Sequence, residues 1–111
     1  MRKLKSEFKK DEAMTLKMKV FFNNTLDEKD KKNFEFIGVY HYKNYEIFFD
    51  HIPENKKIVK HISIKEMSNK RIKQEDLKLI ANHFIGDNYT VQYGLFDNNM
   101  ASIWEEKGTI N

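Results

Sequence analysis

Two histidines and two carboxylates in the middle of this chain are spaced so that they would meet on one face of a β-sheet. They are His41, Glu46, Asp50 and His61, with Ser63 beside them. Converging imidazole and carboxylate groups can bind a divalent metal ion or act as general acid and base. The alternative interpretation is a solvated sheet face, on which alternation requires hydrophilic side chains. The other two histidines, His51 and His83, have no comparable neighbours.

The grouping depends on a meander of three antiparallel strands. Three runs rich in β-branched and aromatic residues predict these strands, at 34–42, 45–52 and 57–65. The short turns between them predict hairpins in which Tyr42 pairs with Tyr45 and Ile52 pairs with Lys57. A slip of one residue would disperse the polar set, because successive side chains point to opposite faces.

These registers assign most of the large apolar residues of the meander to one face, the predicted core. That face consists of Phe34, Phe36, Tyr40, Tyr42, Tyr45, Ile47, Phe49, Ile58, Ile62 and Ile64. The opposite face mixes the titratable groups with Ile37, Val39, Phe48, Ile52 and Val59, and is therefore more apolar than a fully solvated face needs to be.

Two interpretations of this mixed face remain open. Either the N-terminal segment or the main helix packs over it, or it stays exposed and docks a partner protein. In the second case we expect the contact to be made by Ile37, Val39, His41, Glu46, Phe48, Asp50, Val59 and His61.

The remaining elements flank the meander. Residues 1–13 form a charged N-terminal segment in which a short helix is expected, and residues 14–111 form a single domain. Leu16, Met18, Val20 and Phe22 alternate with Thr15, Lys17 and Lys19, so 15–22 is predicted to be a strand.

After the meander, apolar spacing predicts a helix over 74–85 that Gly86 ends, followed by strands at 89–95 and 101–106 joined by a turn at 97–99. The predicted fold class is α+β. It has an antiparallel sheet of about five to six strands, in the order β-β-β-β-α-β-β, packed with one main helix and a short N-terminal helix.

Composition excludes several classes of function. With 111 residues the chain forms one core, and with no cysteine it has neither disulfides nor thiolate zinc sites, which favours the cytoplasm of a host cell. No apolar run is long enough to span a membrane. No Gly-rich phosphate loop, nucleophile elbow or metalloprotease motif is present, so the sequence predicts no enzyme, no cofactor and no metal site.

Nucleic-acid binding is the alternative that the charge distribution allows. The net charge of +3 arises from 20 basic and 17 acidic residues, and only Arg2 and Arg71 are arginines, which disfavours sequence-specific reading of DNA. The cluster of Lys65, Lys70, Arg71 and Lys73 could still follow a phosphate backbone.

Residues 61–104 resemble a family of short, uncharacterised proteins common in phages and prophages. The resemblance lies in His61-Ile62-Ser63-Ile64-Lys65, Asp76-Leu77-Lys78-Leu79-Ile80-Ala81-Asn82, Thr90-Val91-Gln92 and Ser102-Ile103-Trp104. Ser102 stands where that family tends to carry histidine, and the family has no known activity, so no site residue is carried over.

What the resemblance implies is an origin in a phage or mobile element. Small proteins of that origin often act by occupying a surface of a host machine. We therefore expect a non-enzymatic binding protein whose partner is a host or phage protein, and more finely an inhibitor of a host defence system such as a CRISPR effector nuclease. The alternatives are a nucleic-acid-binding accessory protein and a metal-dependent enzyme that uses the cluster of His41, Glu46, Asp50 and His61.

Overall fold

Six strands of the computed structural model form one antiparallel sheet in the order β1-β2-β3-β4-β6-β5. The structure describes residues 8–54, 57–94 and 98–106. In chain order the elements are β1 (Lys9–Lys10), α1 (Glu12–Thr25), α2 (Glu28–Lys31), β2 (Glu35–Tyr42), β3 (Tyr45–Glu54), β4 (Lys57–Glu66), α3 (Gln74–Phe84), β5 (Tyr89–Tyr93) and β6 (Met100–Glu105). The predicted α+β class with one main helix is confirmed.

The predicted meander corresponds to β2, β3 and β4. Tyr42 lies opposite Tyr45, as expected, across a turn in which Lys43 adopts a φ of 52°. In the second hairpin Glu54 lies opposite Lys57, and Ile52 lies opposite Val59 rather than Lys57. The register is thus two residues from the predicted one. A shift of two leaves every side chain on its expected face, because the side-chain period of a strand is also two.

A β-bulge in β2 changes the faces of two aromatic residues. Phe36 lies opposite Asp50 and Gly38 opposite Phe49, which leaves Ile37 as the extra residue. Phe34 and Phe36 therefore do not lie on the predicted core face. Both pack against Phe22, with ring centroids 4.9 and 5.5 Å away. The core prediction is also wrong for Ile58, the second residue of β4, because this residue is 44% exposed.

The core lies between the sheet and α3. Leu77, Ile80, Ala81 and Phe84 on the helix pack with a row of buried sheet residues: Tyr45, Ile47, Ile62, Ile64, Ala101 and Ile103. β4 and β5 both run antiparallel to β6, so α3 connects two parallel strands that have β6 between them. Gly86, with φ 128°, follows the end of the helix and donates its N–H to the Ala81 carbonyl at 2.9 Å. The predicted helix is confirmed.

The opposite face of the sheet is covered in part by α1, and the predicted strand at 15–22 is therefore wrong. Asp11 begins the helix by accepting the Met14 N–H at 3.0 Å. The Thr15 hydroxyl accepts the Val39 N–H at 2.9 Å, and the Asp11 N–H donates to the Val39 carbonyl at 2.8 Å. The helix is thus joined directly to the edge of β2.

The start of the chain contributes to the fold from Phe8 onward. Lys9 and Lys10 pair with His41 and Tyr40, and the predicted boundary between residues 13 and 14 falls inside α1. Residues 1–7 of the predicted N-terminal helix lie outside the described residues, as do residue 95 of the predicted strand at 89–95 and residue 97 of the turn predicted after it. Among the described residues, no helix has both the length and the apolar character that crossing a membrane would require.

Candidate binding face of the sheet

The face of the sheet on the α1 side is organised as rows of side chains that cross the strands. One row, read from β2 to β5, is Phe36, Asp50, His61, Trp104 and Thr90. The next row is Val39, Phe48, Ser63, Ser102 and Gln92, and the third is His41, Glu46, Lys65 and Met100. Each of the first two rows changes from apolar at β2 to polar at β5.

The apolar end of these rows is covered by α1. Val39 and Val59 are 0% and 1% exposed, and Phe36 is buried. Phe48 is half-buried, with its ring centroid 6.2 Å from that of Phe36. Of the residues expected to dock a partner, Val39 and Val59 are thus too buried to contact one. Val39 is buried at the junction of α1 with β2. Ile37, at the bulge, is half-buried.

The polar end of the rows remains accessible, and we call it the open face. It consists of Ser63, Lys65, Thr90, Gln92, Met100, Ser102 and Trp104, with His61 at its border. All of these side chains are half-buried or exposed. A shallow depression of about 260 Å³ lies here, lined by residues that include Ser63, Ser102, Gln92 and Met100. The two small side chains of Ser63 and Ser102 lie directly opposite each other and form the floor of this depression.

His61 and Asp50 form a hydrogen-bonded pair between the two halves of the face. His61 Nδ1 lies 2.7 Å from Asp50 Oδ1, and the two side chains are 14% and 12% exposed. A carboxylate oxygen can only accept, so Nδ1 carries a proton and Nε2 is the ring nitrogen left for other partners. Trp104 lies directly opposite His61 on β6.

The four residues considered for metal binding or acid–base chemistry, His41, Glu46, Asp50 and His61, do share one face, but the structure separates them into two groups. His41 Nε2 lies 2.9 Å from Asp11, not from Glu46 or Asp50. The hydrogen bond from the Met14 N–H, and next that from His41, lower the pKa of Asp11. Glu46 is half-buried, opposite both His41 and Lys65. Within the described ranges, no three His, Asp or Glu side chains are arranged to hold a metal ion.

The basic residues proposed for nucleic-acid binding are all exposed. Lys65 projects from β4 at the margin of the open face, whereas Lys70, Arg71 and Lys73 lie in the connection between β4 and α3. That connection is held by Glu66, whose carboxylate accepts the N–H groups of Ser68 and Lys70 at 2.8 Å each. These hydrogen bonds, the Lys70 bond first, lower the pKa of Glu66.

Two surfaces were not predicted from the sequence. Trp104 and Ser102 join the open face only because β6 lies beside β4, and no local signal indicates that order. The other surface is on α1, where Leu16, Val20 and Phe21 are 64%, 51% and 52% exposed. Near it, Phe22, Phe34 and Phe36 line a cleft of about 320 Å³, which Lys19 and Lys31 also border.

Comparisons with known proteins leave the site to be interpreted from its own geometry. The chain matches no protein-family model. It also matches no curated protein and no solved structure. The open face, with the Asp50–His61 pair at its border, is therefore interpreted through the chemistry of its side chains.

Proposed function

We propose that this chain is a non-enzymatic binding protein that contacts a macromolecular partner through the open face. The observation that supports this most directly is the position of Trp104, half-buried on a sheet surface that α1 leaves accessible. Tryptophan combines a large apolar area with a hydrogen-bond donor, and it is enriched among residues that dominate binding energies.

The groups around Trp104 fit a polar contact surrounding an aromatic anchor. The hydroxyls of Ser63 and Ser102 and the amide of Gln92 can donate and accept, and Lys65 adds a positive charge at the margin. The low floor gives a protruding partner side chain access to these groups. Such an arrangement is typical of an interface, in which a polar rim encloses a few strongly contributing residues.

Filling the depression tests the proposal. Ser102→Arg places a long side chain on the floor without changing a core residue, and Leu79→Ala on the exposed side of α3 is the matched control. Wild type and both variants, each checked by thermal unfolding, are immobilised and exposed to the same bacterial lysate. We expect the captured partner to be lost with Ser102→Arg and retained with Leu79→Ala. Retention of an identical set of proteins by all three would contradict a role for the open face.

The resemblance over residues 61–104 extends this proposal to a specific class of partner. We propose that the partner belongs to a bacterial host of a phage or mobile element, and that binding inhibits a host defence nuclease such as a CRISPR effector. Titration of a purified effector with this protein should abolish DNA cleavage at a stoichiometric ratio. Unchanged cleavage at a large molar excess over each effector class tested would contradict this finer proposal and leave the binding role intact.

Nucleic acid is the second candidate partner, and Lys65 is the observation that favours it. This lysine lies on the same face as Trp104, four residues along β4 from the indole's neighbour His61, a distance of about 13 Å. A base could stack on Trp104 while Lys65 contacts a phosphate of the same strand. Affinity for a fluorescent single-stranded oligonucleotide should then fall steeply with salt. Binding that is absent at low salt would exclude this candidate.

A further inference from the structure

The two edges of the sheet are protected very differently. On the β2 side, Lys9 and Lys10 pair with the edge, and the Thr15 hydroxyl and the Asp11 N–H satisfy both backbone groups of Val39. On the other side β5 is the last strand of the sheet. Its sequence, Tyr89-Thr90-Val91-Gln92-Tyr93, contains no charge and no proline, which are the devices that usually prevent strands from adding to an edge.

The direction of the β5 backbone groups follows from two hydrogen bonds at its ends. The Glu106 N–H donates to the Asn88 carbonyl at 3.1 Å, and the Gly94 N–H donates to the Met100 carbonyl at 2.9 Å. Alternate residues of an antiparallel strand bond to the same neighbour, so Thr90 and Gln92 also direct their backbone groups toward β6. Tyr89, Val91 and Tyr93 therefore direct theirs outward, and no backbone hydrogen bond in the described part of the chain uses them.

We propose that β5 pairs with β5 of a second copy of this chain, antiparallel and centred on Val91. In this register Tyr89 lies opposite Tyr93 of the other copy, Thr90 opposite Gln92, and Val91 opposite itself. The three outward residues are then the hydrogen-bonded pairs, so the six outward backbone groups of each copy are all satisfied, by six hydrogen bonds in total. A two-fold axis perpendicular to the sheet produces this arrangement, which is the symmetry of most homodimers.

The side chains of β5 suit the same register on both faces. Tyr89, Val91 and Tyr93 lie on the α3 side and are half-buried at the edge of the core, so pairing brings aromatic rings opposite each other. Thr90 and Gln92 lie on the open face, where a hydroxyl and an amide would face each other across the axis. The open faces of the two copies become one continuous surface with two Trp104 residues. The pairing stands independently of the proposed binding role.

Cysteine cross-linking tests the register directly, because the natural chain contains no cysteine. At the axis the two Val91 Cα atoms would be about 5.5 Å apart, within the range of a disulfide. We expect Val91→Cys to form a covalent dimer under mild oxidation. Thr90→Cys should not, because Thr90 lies opposite Gln92 of the other copy and the two cysteines would be two positions apart along the strands. Monomeric Val91→Cys after oxidation, or equal cross-linking of both variants, would overturn the proposal.

Charge substitution gives a second readout that leaves the core unchanged. Sedimentation velocity over a concentration series should show a monomer–dimer equilibrium for the wild type. The double variant Thr90→Lys, Gln92→Lys places like charges opposite each other twice and should raise the dimer dissociation constant about tenfold. The variant Thr90→Lys, Gln92→Glu should restore dimerisation. A wild type that remains monomeric at all concentrations, or a dimer that the double lysine substitution leaves unweakened, would exclude the β5 interface.

Discussion

The Tyr45 hydroxyl donates a hydrogen bond of 2.7 Å to the Asp76 carboxylate, joining the first residue of β3 to the first turn of α3. Lys43, in the preceding turn, lies 2.9 Å from the same carboxylate, whose side chain is 5% exposed. Burial by itself raises the pKa of Asp76, but the hydrogen bonds from Lys43 and Tyr45 outweigh it, and the net effect is a lowered pKa. The ionised form therefore stabilises the folded state.

Asp76→Asn should lower the free energy of unfolding at pH 7 by about 2 kcal/mol, since it weakens two hydrogen bonds to a buried charge. Because the pKa in the folded state lies below the ordinary 3.8, this stabilisation is complete above that pH and is lost as pH falls through the folded value. Urea unfolding at pH 7 and at successive values below 4 should show the two proteins converging. Equal stability at pH 7 would refute the role of the carboxylate.

Tyr45 should ionise at a pH well above the ordinary pKa of tyrosine, 10.0. Burial, and next the hydrogen bond to Asp76, raise its pKa to about 12 from the ordinary 10.0. Its contribution to stability is complete below pH 10.0 and is lost as pH rises toward 12. Ultraviolet titration should show one of the five tyrosines ionising late, and Tyr45→Phe should remove that step. A late step that persists in Tyr45→Phe would assign it to another residue.

Thr15→Val should destabilise the junction of α1 with the sheet. The substitution keeps the shape of a buried side chain but leaves the Val39 N–H without its acceptor, at a cost of about 1–3 kcal/mol. Thr25→Val is the control, because the Thr25 hydroxyl is exposed and bonds only to the Phe21 carbonyl of its own helix. Chemical denaturation measures both, and hydrogen exchange at Val39 should accelerate in Thr15→Val alone. Similar losses in the two variants would argue against the junction.

Phe8→Ala should raise the pKa of His83. The two rings stack with centroids 4.0 Å apart, and burial lowers the pKa of His83 below 6.5. Removing Phe8 takes away the ring stacked on the imidazole, so more water reaches it and its pKa should return toward that value, as followed by NMR titration of the ring protons. Phe21→Ala, an exposed aromatic on α1, is the control. An unchanged titration in Phe8→Ala would mean that Phe8 does not shield His83.

Asp50→Asn should change the tautomer of His61. In the native pair the carboxylate accepts from Nδ1, which requires a proton on that nitrogen. Nitrogen-15 NMR should therefore find His61 protonated at Nδ1, whereas His41, whose Nε2 faces Asp11, should carry its proton at Nε2. A side-chain amide in place of the carboxylate can donate as well as accept. Asp50→Asn should therefore weaken the preference of His61 for the Nδ1-protonated tautomer and leave the tautomer of His41 unchanged. A His61 spectrum insensitive to the substitution would contradict the pairing.

Local patterns sufficed to predict the meander and α3. Tyr42 and Tyr45 flank a two-residue turn, which leaves little freedom in the register of the first hairpin. The second hairpin was misplaced by two residues because β3 continues through Pro53 and Glu54, two residues whose composition is typical of a turn. His61 still reached its expected face, since an even shift does not exchange the faces.

The predictions from sequence are wrong or missing where one pattern fits two kinds of secondary structure, or where the feature depends on tertiary contacts. Leu16 and Val20 alternate with lysines as in a strand, but they also lie one helical turn apart, and Asp11 supplies an N-cap that favours the helix. Their exposure weakens the amphipathic pattern that would have identified α1. The bulge at Ile37 and the position of Trp104 beside His61 depend on strand pairing, which no local sequence pattern encodes.

The strand order also affects how the chain folds during synthesis. β6 follows β5 in the chain yet lies between β5 and β4, so β5 has no partner strand, and β4 lacks one of its two neighbours, until residue 105 has left the ribosome. The two hairpins of β2, β3 and β4 can close earlier, since their contacts are local. The nascent chain therefore carries α3 with part of its apolar side uncovered until Ala101 and Ile103 emerge, a period in which chaperones would be expected to engage it.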